Sequence, residues 1–146
     1  MSSLSTHLLL VGSPRRIDAF RRALRRRIRP GSVVADLGCG TGVLGLIALQ
    51  AGAKRVYAVD RHPIIQVAKT LAKENGTGDR MVFIHADSRD VQLPERVDVI
   101  VSDLVGQLGV DEHLVECLVD VRDRWLKRDG HLIPARVELW AQPVTA

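Results

Sequence analysis

Val33-Val34-Ala35-Asp36-Leu37-Gly38-Cys39-Gly40-Thr41-Gly42 is the stretch on which the fold turns. Val33 to Leu37 is short, apolar and β-branched at its start, with Pro30-Gly31 just before it and glycines after it. It reads as a buried strand. A helical apolar pattern follows from Gly42 to Ala51. Between the two, glycine alternates with Cys39 and Thr41. Glycine turns the chain tightly and lets a ligand approach the backbone with no Cβ in the way. An ordinary strand-to-helix turn needs fewer glycines, so the loop reads as a cradle for a ligand.

Outward from this loop, short apolar runs alternate with longer helical patterns. Arg55 to Val59 reads as a strand and Pro63 to Glu74 as a helix, stopped by Asn75-Gly76. Met81 to His85 and Val97 to Ser102 read as strands, and Asp111 to Leu126 as a helix. Asp129-Gly130 reads as a turn before a strand at His131 to Pro134, with Val137 to Trp140 as one more candidate. Upstream, Ile17, Phe20, Leu24 and Ile28 form one stripe of an amphipathic helix from Pro14 to Ile28, with arginines on its other faces. The alternation predicts an α/β fold: a Rossmann-like, doubly wound, mostly parallel sheet of about five strands with helices on both faces. Ligands of such folds bind beyond the carboxyl ends of the strands, near the point where strand order reverses.

The 146 residues fit one domain, divided into a segment 1–30 with the Arg-rich helix, a core 31–136 and a tail 137–146. Aromatics are only 3%, so Val, Leu, Ile and Ala must build the core, as suits a parallel sheet buried on both faces. No apolar run approaches a membrane span, and Leu8 to Val11 lacks the flanks of a signal peptide. Cys39 and Cys117 have neither metal-ligand spacing nor a disulfide framework, so no metal is implied and a reducing cytoplasm is expected. The net charge is +4. Much of the excess sits in Arg15, Arg16, Arg21, Arg22, Arg25, Arg26, Arg27 and Arg29, set against Asp18 alone. Such a run is either the solvated face of a helix or a contact for phosphate backbones.

Two cofactors compete for the loop. Gly40-Thr41-Gly42-Val43-Leu44-Gly45 matches the dinucleotide pattern G-x-G-x-x-G. In that fingerprint, however, the helix N-terminus takes a pyrophosphate. Asp36 just ahead of the glycines would repel one. The same carboxylate suits a cofactor that carries an ammonium and a sulfonium, which selects S-adenosylmethionine (SAM) over NAD. Asp60 and Arg61 close the second strand, where an acid accepts hydrogen bonds from ribose hydroxyls; Asp60 equally suits a helix N-cap. Asp87-Ser88 follows the third strand and fits either the adenine edge or a turn.

With these residues in place, the run Val33 to Gly42 resembles the first motif of SAM-dependent methyltransferases, and Ala51-Gly52-Ala53-Lys54-Arg55-Val56-Tyr57-Ala58-Val59-Asp60 is similar to the protein arginine methyltransferases. Asn75-Gly76, Asp79-Arg80, Leu93-Pro94, Val97-Asp98 and Trp125-Leu126-Lys127 fall where that family has similar residues, so the likeness runs from about His7 to Pro143. The resemblance implies that His7 and Arg16 precede the core at the family's spacing, with Arg16 meeting the methionine carboxylate of SAM. It implies that the loop Gly38, Cys39, Gly40, Thr41 and Gly42 holds the cofactor. It also places Asp103 and Glu112 where the family clamps a target guanidinium between two glutamates; the first acid is here one methylene shorter. Val105 and Gln107 replace a Met and a Tyr of that loop, and Glu112 also reads as a first-turn helix acid.

Other departures limit the likeness. The family's tyrosine-rich lid motif is absent, since Tyr57 is the one tyrosine. Its C-terminal β-barrel would begin near Val137, while the chain stops at Ala146. Two expectations follow: a fragment of a longer protein, or a small enzyme with another acceptor. The reading is therefore a SAM-dependent N-methyltransferase, yielding S-adenosylhomocysteine, with Asp103 and Glu112 orienting an arginine-like amine. RNA methylation through the Arg-rich helix, transfer to a small molecule, and a SAM-binding core without activity of its own stand as alternatives. The acceptor and the oligomeric state stay open.

Overall fold

A computed structural model describes residues 12–105 and 113–143. The Ile17–Phe20–Leu24 stripe forms helix α1 (Pro14–Arg27), with proline in its first turn and Arg25, Arg26 and Arg27 in its last, where cations oppose the helix dipole. Leu24 is fully buried, and the chain leaves the helix at Ile28 in extended geometry. There follow β1 (Val33–Leu37), α2 (Val43–Gln50), β2 (Arg55–Asp60), α3 (Ile65–Glu74), β3 (Met81–His85), β4 (Val97–Ser102), α4 (Leu114–Trp125) and β5 (Leu126–Ile133), with 3-10 turns at Gly78–Arg80 and Ser88–Asp90.

The five strands pair in the order β3-β2-β1-β4-β5, and each pairing is parallel. After β3 the chain returns to the other side of β1, so strand order reverses between β1 and β4. The loops that follow these two strands flank the switch point.

Period-two alternation divides the core. Val34, Val56, Ala58, Val99 and Val101 face one layer, packed with Leu24 and Ile28, with Leu44, Ile47 and Ala48 of α2, and with Ile65 and Ala72 of α3. Val33, Ala35, Leu37, Tyr57, Val59 and Ile100 face the other, packed with Leu114, Leu118, Val121 and Trp125 of α4. Nearly every residue of β1 and β2 is buried, which explains why these strands are apolar throughout.

Two expectations at the C-terminal end are corrected. The last strand begins at Leu126, directly after α4, and not at His131. Val97 pairs with Leu126 and Val99 with His131, so Lys127 to Gly130 bulge out between two paired positions. The Asp129-Gly130 signal is this bulge and not a turn ahead of the strand. Val137 to Trp140 forms no strand, and Leu139 and Trp140 are exposed. The helix expected from Asp111 starts, within the described residues, at Leu114.

Candidate active site

β1 delivers Asp36 to the sheet's carboxyl edge, and the glycine loop folds back over it. Gly38 and Cys39 donate their backbone N–H groups to the Val59 carbonyl at 2.8 and 3.1 Å, tying the loop to β2. Gly38, Gly40 and Gly42 have φ of +66°, +53° and +76°, the left-handed region that side chains resist. At Gly38 the restriction is double, because a Cβ would come within 2.7 Å of Leu104 Cδ2. Thr41 and Cys39 are buried in the loop, and burial pushes the Cys39 thiol up, with Asp36 and Asp60 adding to it.

Asp36 lies beneath this loop and not at its mouth, which corrects the expected position. It is 1% exposed, and its Oδ2 accepts from the Gly45 N–H at 2.9 Å. Burial raises its pKa to about 7; the Gly45 hydrogen bond opposes this, and the charges of Asp60 and Asp103 reinforce it. Gly45 is part of the same arrangement. A Cβ there would meet Met81 Cε at 2.7 Å, Val56 Cγ1 at 3.1 Å and the Asp36 carboxylate at 3.3 Å, so glycine lets α2 sit directly on the sheet.

Asp60 ends β2, buried, with both oxygens engaged. Oδ2 accepts from Gly40 N–H and Oδ1 from His62 N–H, each at 2.8 Å. A carboxylate oxygen has two acceptor sites, so one lone pair on each remains. Asp60 thus shapes the glycine loop as well as terminating the strand. Arg61 beside it is exposed; its guanidinium lies 3.3 Å from His62 Nε2 and 4.0 Å from Asp87 Oδ2.

Asp87 caps the 3-10 turn after β3 by accepting from the Arg89 N–H at 3.1 Å, and the Arg89 guanidinium grips both its oxygens. These bonds hold its carboxyl well below the usual range. Ser88 is buried in the turn. Its carbonyl and that of Val91 accept from Arg124 of α4 at 2.7 and 2.6 Å, which fixes this loop to the helix.

The pair that spans the site joins two residues proposed from opposite ends of the chain. Asp103, just beyond β4, accepts from Arg16 Nε at 3.0 Å on Oδ1 and 2.8 Å on Oδ2, and from the Arg16 Nη2 group as well. Both side chains are part-exposed. Their bond pins the start of α1 to the switch point. Ser102 behind them is fully buried and donates to the Leu37 carbonyl at 2.9 Å, stapling the ends of β1 and β4 together. Sequence reasoning missed Ser102 and Leu104 as parts of the site. A hydroxyl directly after the apolar run Val99 to Val101 was the available signal for the first. His7 and Glu112 lie outside the described residues.

Three carboxylates therefore surround the glycine loop: Asp36, Asp60 and Asp103. Asp103 is paired with Arg16, and Asp36 keeps its proton below about pH 7. Asp60, which has no ion pair among the described residues, therefore contributes most of the field that opposes a pyrophosphate and favours a cationic ligand.

Residues 21–134 match the family described as ribosomal protein L11 methyltransferase (PrmA). The chain belongs to this methyltransferase family. Among its relatives, a probable protein arginine N-methyltransferase 6 of Arabidopsis thaliana is 38% identical over 141 residues, 95% of this chain and 32% of the relative. Protein arginine N-methyltransferase 6 of Danio rerio is 34% identical over 145 residues, 98% of this chain and 42% of the relative. Among solved structures, Arabidopsis thaliana protein arginine methyltransferase 10 superposes with a TM-score of 0.85 at 32% identity, over 90% of this chain and 38% of that one. The Trypanosoma brucei PRMT1 enzyme-prozyme heterotetrameric complex with AdoHcy gives a TM-score of 0.82 at 30% identity, over 86% and 40%. The methyltransferase domain thus spans about a third to two fifths of the length of these relatives.

Proposed function

We propose that the methyltransferase domain binds SAM at the glycine loop and transfers its methyl group to the guanidinium of an arginine-like acceptor. SAM, when bound, supplies a methyl group activated by its sulfonium. The residues present fit it. The carboxylate field of Asp36, Asp60 and Asp103 suits its ammonium and sulfonium, and Asp60 keeps lone pairs for ribose hydroxyls. Asp87 and Ser88 frame the position of the base. Arg16 spends Nε and Nη2 on Asp103, which leaves Nη1 to take a second carboxylate, that of the methionine moiety. His7 and Glu112 complete the proposed cofactor and acceptor contacts.

The observation that carries the acceptor reading is that Asp103 accepts a guanidinium fork, here from Arg16. Oδ1 is filled by Nε and Nη2, and Oδ2 keeps one lone pair for a further donor. A carboxylate in this place favours the charged form of an amine, so its contribution is orientation rather than deprotonation. Arg16 is then a positioning residue: it holds Asp103 and the cofactor's carboxylate on one rigid guanidinium. A protein acceptor follows from the kinship with arginine methyltransferases, and the free thiols Cys39 and Cys117 suit a reducing cytoplasm.

The test is transfer of labelled methyl from SAM to a glycine- and arginine-rich peptide and to its all-lysine counterpart. Label on the arginine peptide alone is expected. Label on RNA alone, or SAM binding without transfer to any acceptor, overturns the acceptor assignment. Arg16→Lys keeps the charge and loses the fork; it should raise the KM for SAM and lower kcat, each by about tenfold or more. Unchanged constants would remove Arg16 from the site.

A further inference from the structure

A cleft on the described surface lies at the opposite edge of the sheet from the glycine loop. It measures about 770 Å³ and wraps the start of β5, with Arg27, Arg96, Arg122, Lys127, Arg128 and His131 in its lining. The glycine loop and Asp103 follow the carboxyl ends of the strands, whereas Arg96 and Leu126 stand at the amino ends of β4 and β5. The length of β4 separates the two ends, roughly 17 Å at 3.3 Å per residue.

We infer that this cleft, continued by the last turn of α1, is a docking surface for the phosphodiester backbone of a double-stranded nucleic acid. α1 and α4 both run against the strands, so both end here, and each carries arginines in its last turn. Dipole compensation explains some of that charge. It does not explain Arg29 or Arg128, which lie outside both helices. Arg122 is paired with Asp123, and Lys127 with Asp98. Arg25, Arg26, Arg27, Arg29, Arg96 and Arg128 form no salt bridge among the described residues. Arg96 donates to the Leu126 and Asp123 carbonyls at 2.6 and 3.2 Å, and the Asp123 carboxylate, paired directly with Arg122, offsets its charge only in part.

The chemistry favours phosphate. Guanidinium groups match phosphate oxygens two at a time, and a row of them matches a repeating anion. A protein partner is a poorer fit: arginine is common at protein interfaces, but aromatic residues anchor their centres alongside it. The lining contains no aromatic ring apart from His131. Single strands are commonly held by stacking on such rings, so the duplex backbone is the better match. The surface also faces away from Asp103. It holds a nucleic acid while leaving the acceptor side open, so it is an anchor and not the place of methyl transfer. This inference does not depend on which acceptor is methylated.

Fluorescence anisotropy with a labelled 20-base-pair DNA duplex of mixed sequence tests it. With about five phosphates neutralised, affinity should fall roughly 500-fold between 50 and 200 mM salt. The double variant Arg27→Glu/Arg128→Glu should bind at least tenfold more weakly at 50 mM, with unchanged circular dichroism. Lys69→Glu/Lys73→Glu makes the same change of charge on exposed positions of α3 and should bind much as the parent does. Equal loss in both variants means that net charge, not the cleft, drives binding and overturns the proposal. So does absent binding, or equally tight binding of polyglutamate. If the glutamate variant fails to fold, Arg27→Gln/Arg128→Gln takes its place, with a threefold or greater loss expected. Binding of SAM is measured alongside, so failure of the glycine-loop reading is seen separately.

Discussion

At the scale of single residues, Asp36 shows how far a motif can be read without coordinates. Its place ahead of the glycines was legible, and its carboxyl was read as favouring a cationic ligand over a pyrophosphate. Its burial was not, because that depends on the loop closing above it and on α2 bringing the Gly45 N–H beneath. The consequence is a pH dependence. In the unfolded chain Asp36 titrates near 3.8, and in the fold at about 7. Its proton therefore stabilises the fold fully below the lower value, and this contribution is lost as pH rises through the upper one. Above pH 7 the buried charge costs on the order of 4 kcal/mol at most. Asp36→Asn keeps an acceptor for Gly45 and buries no charge. Its stability advantage over the parent should grow by roughly 2–3 kcal/mol between pH 5 and pH 8, measured by urea unfolding at each pH. A difference that stays constant over this range would mean that Asp36 is ionised in the fold throughout. The Arg16–Asp103 bond was illegible for another reason. The two residues are 87 positions apart, and no periodicity relates them; the family likeness proposed each for a separate task, and the structure joins them.

At the scale of elements, legibility follows from how each one is bounded. β1 to β4 are mostly apolar runs set between polar or glycine-bearing segments, and the expected bounds differ from those observed by at most a residue at either end. β5 was misread because Asp129-Gly130, a turn signal in most contexts, sits inside a bulge. Val137 to Trp140 has the composition of a strand, but no neighbouring strand pairs with it. The glycine loop allows a sharper test, since its shape and its packing make separate demands. Gly38→Ala meets both the left-handed φ and the Leu104 side chain. Holding alanine in that region costs about 1–2 kcal/mol, and crowding Leu104 adds to it. Leu104→Ala in the same chain relieves only the crowding. In thermal or urea unfolding, the double variant should therefore recover less than the full loss caused by Gly38→Ala, after allowance for Leu104→Ala alone. Full recovery would show that the backbone conformation is not what demands glycine here.

At the scale of the whole molecule, the order β3-β2-β1-β4-β5 explains why residues from distant parts of the chain meet. Asp36, Asp60 and Asp103 each lie at or just beyond the carboxyl end of a different strand, and the reversal between β1 and β4 opens the space between the loops that follow them. Strand–helix alternation made a parallel sheet legible, and the switch-point rule pointed to the carboxyl edge, where the candidate site lies. Strand order itself is long-range pairing and was not written in any local pattern. A ligand that touches several strand ends should stabilise the whole sheet. Present at a hundred times its Kd, it adds about 2.7 kcal/mol. For a domain of this size that corresponds to a rise in Tm of roughly 5–10 °C. SAM and S-adenosylhomocysteine should both produce this rise, and NAD should not, because its pyrophosphate meets the carboxylate field. Asp60→Asn retains one carbonyl acceptor but loses the charge and one of the two loop bonds, so its shift with SAM should shrink markedly at equal concentration. The comparison is made on each variant's own ligand-free Tm, which separates lost binding from lost stability. A rise with NAD equal to that with SAM would mean that the glycines, and not the carboxylates around them, choose the ligand.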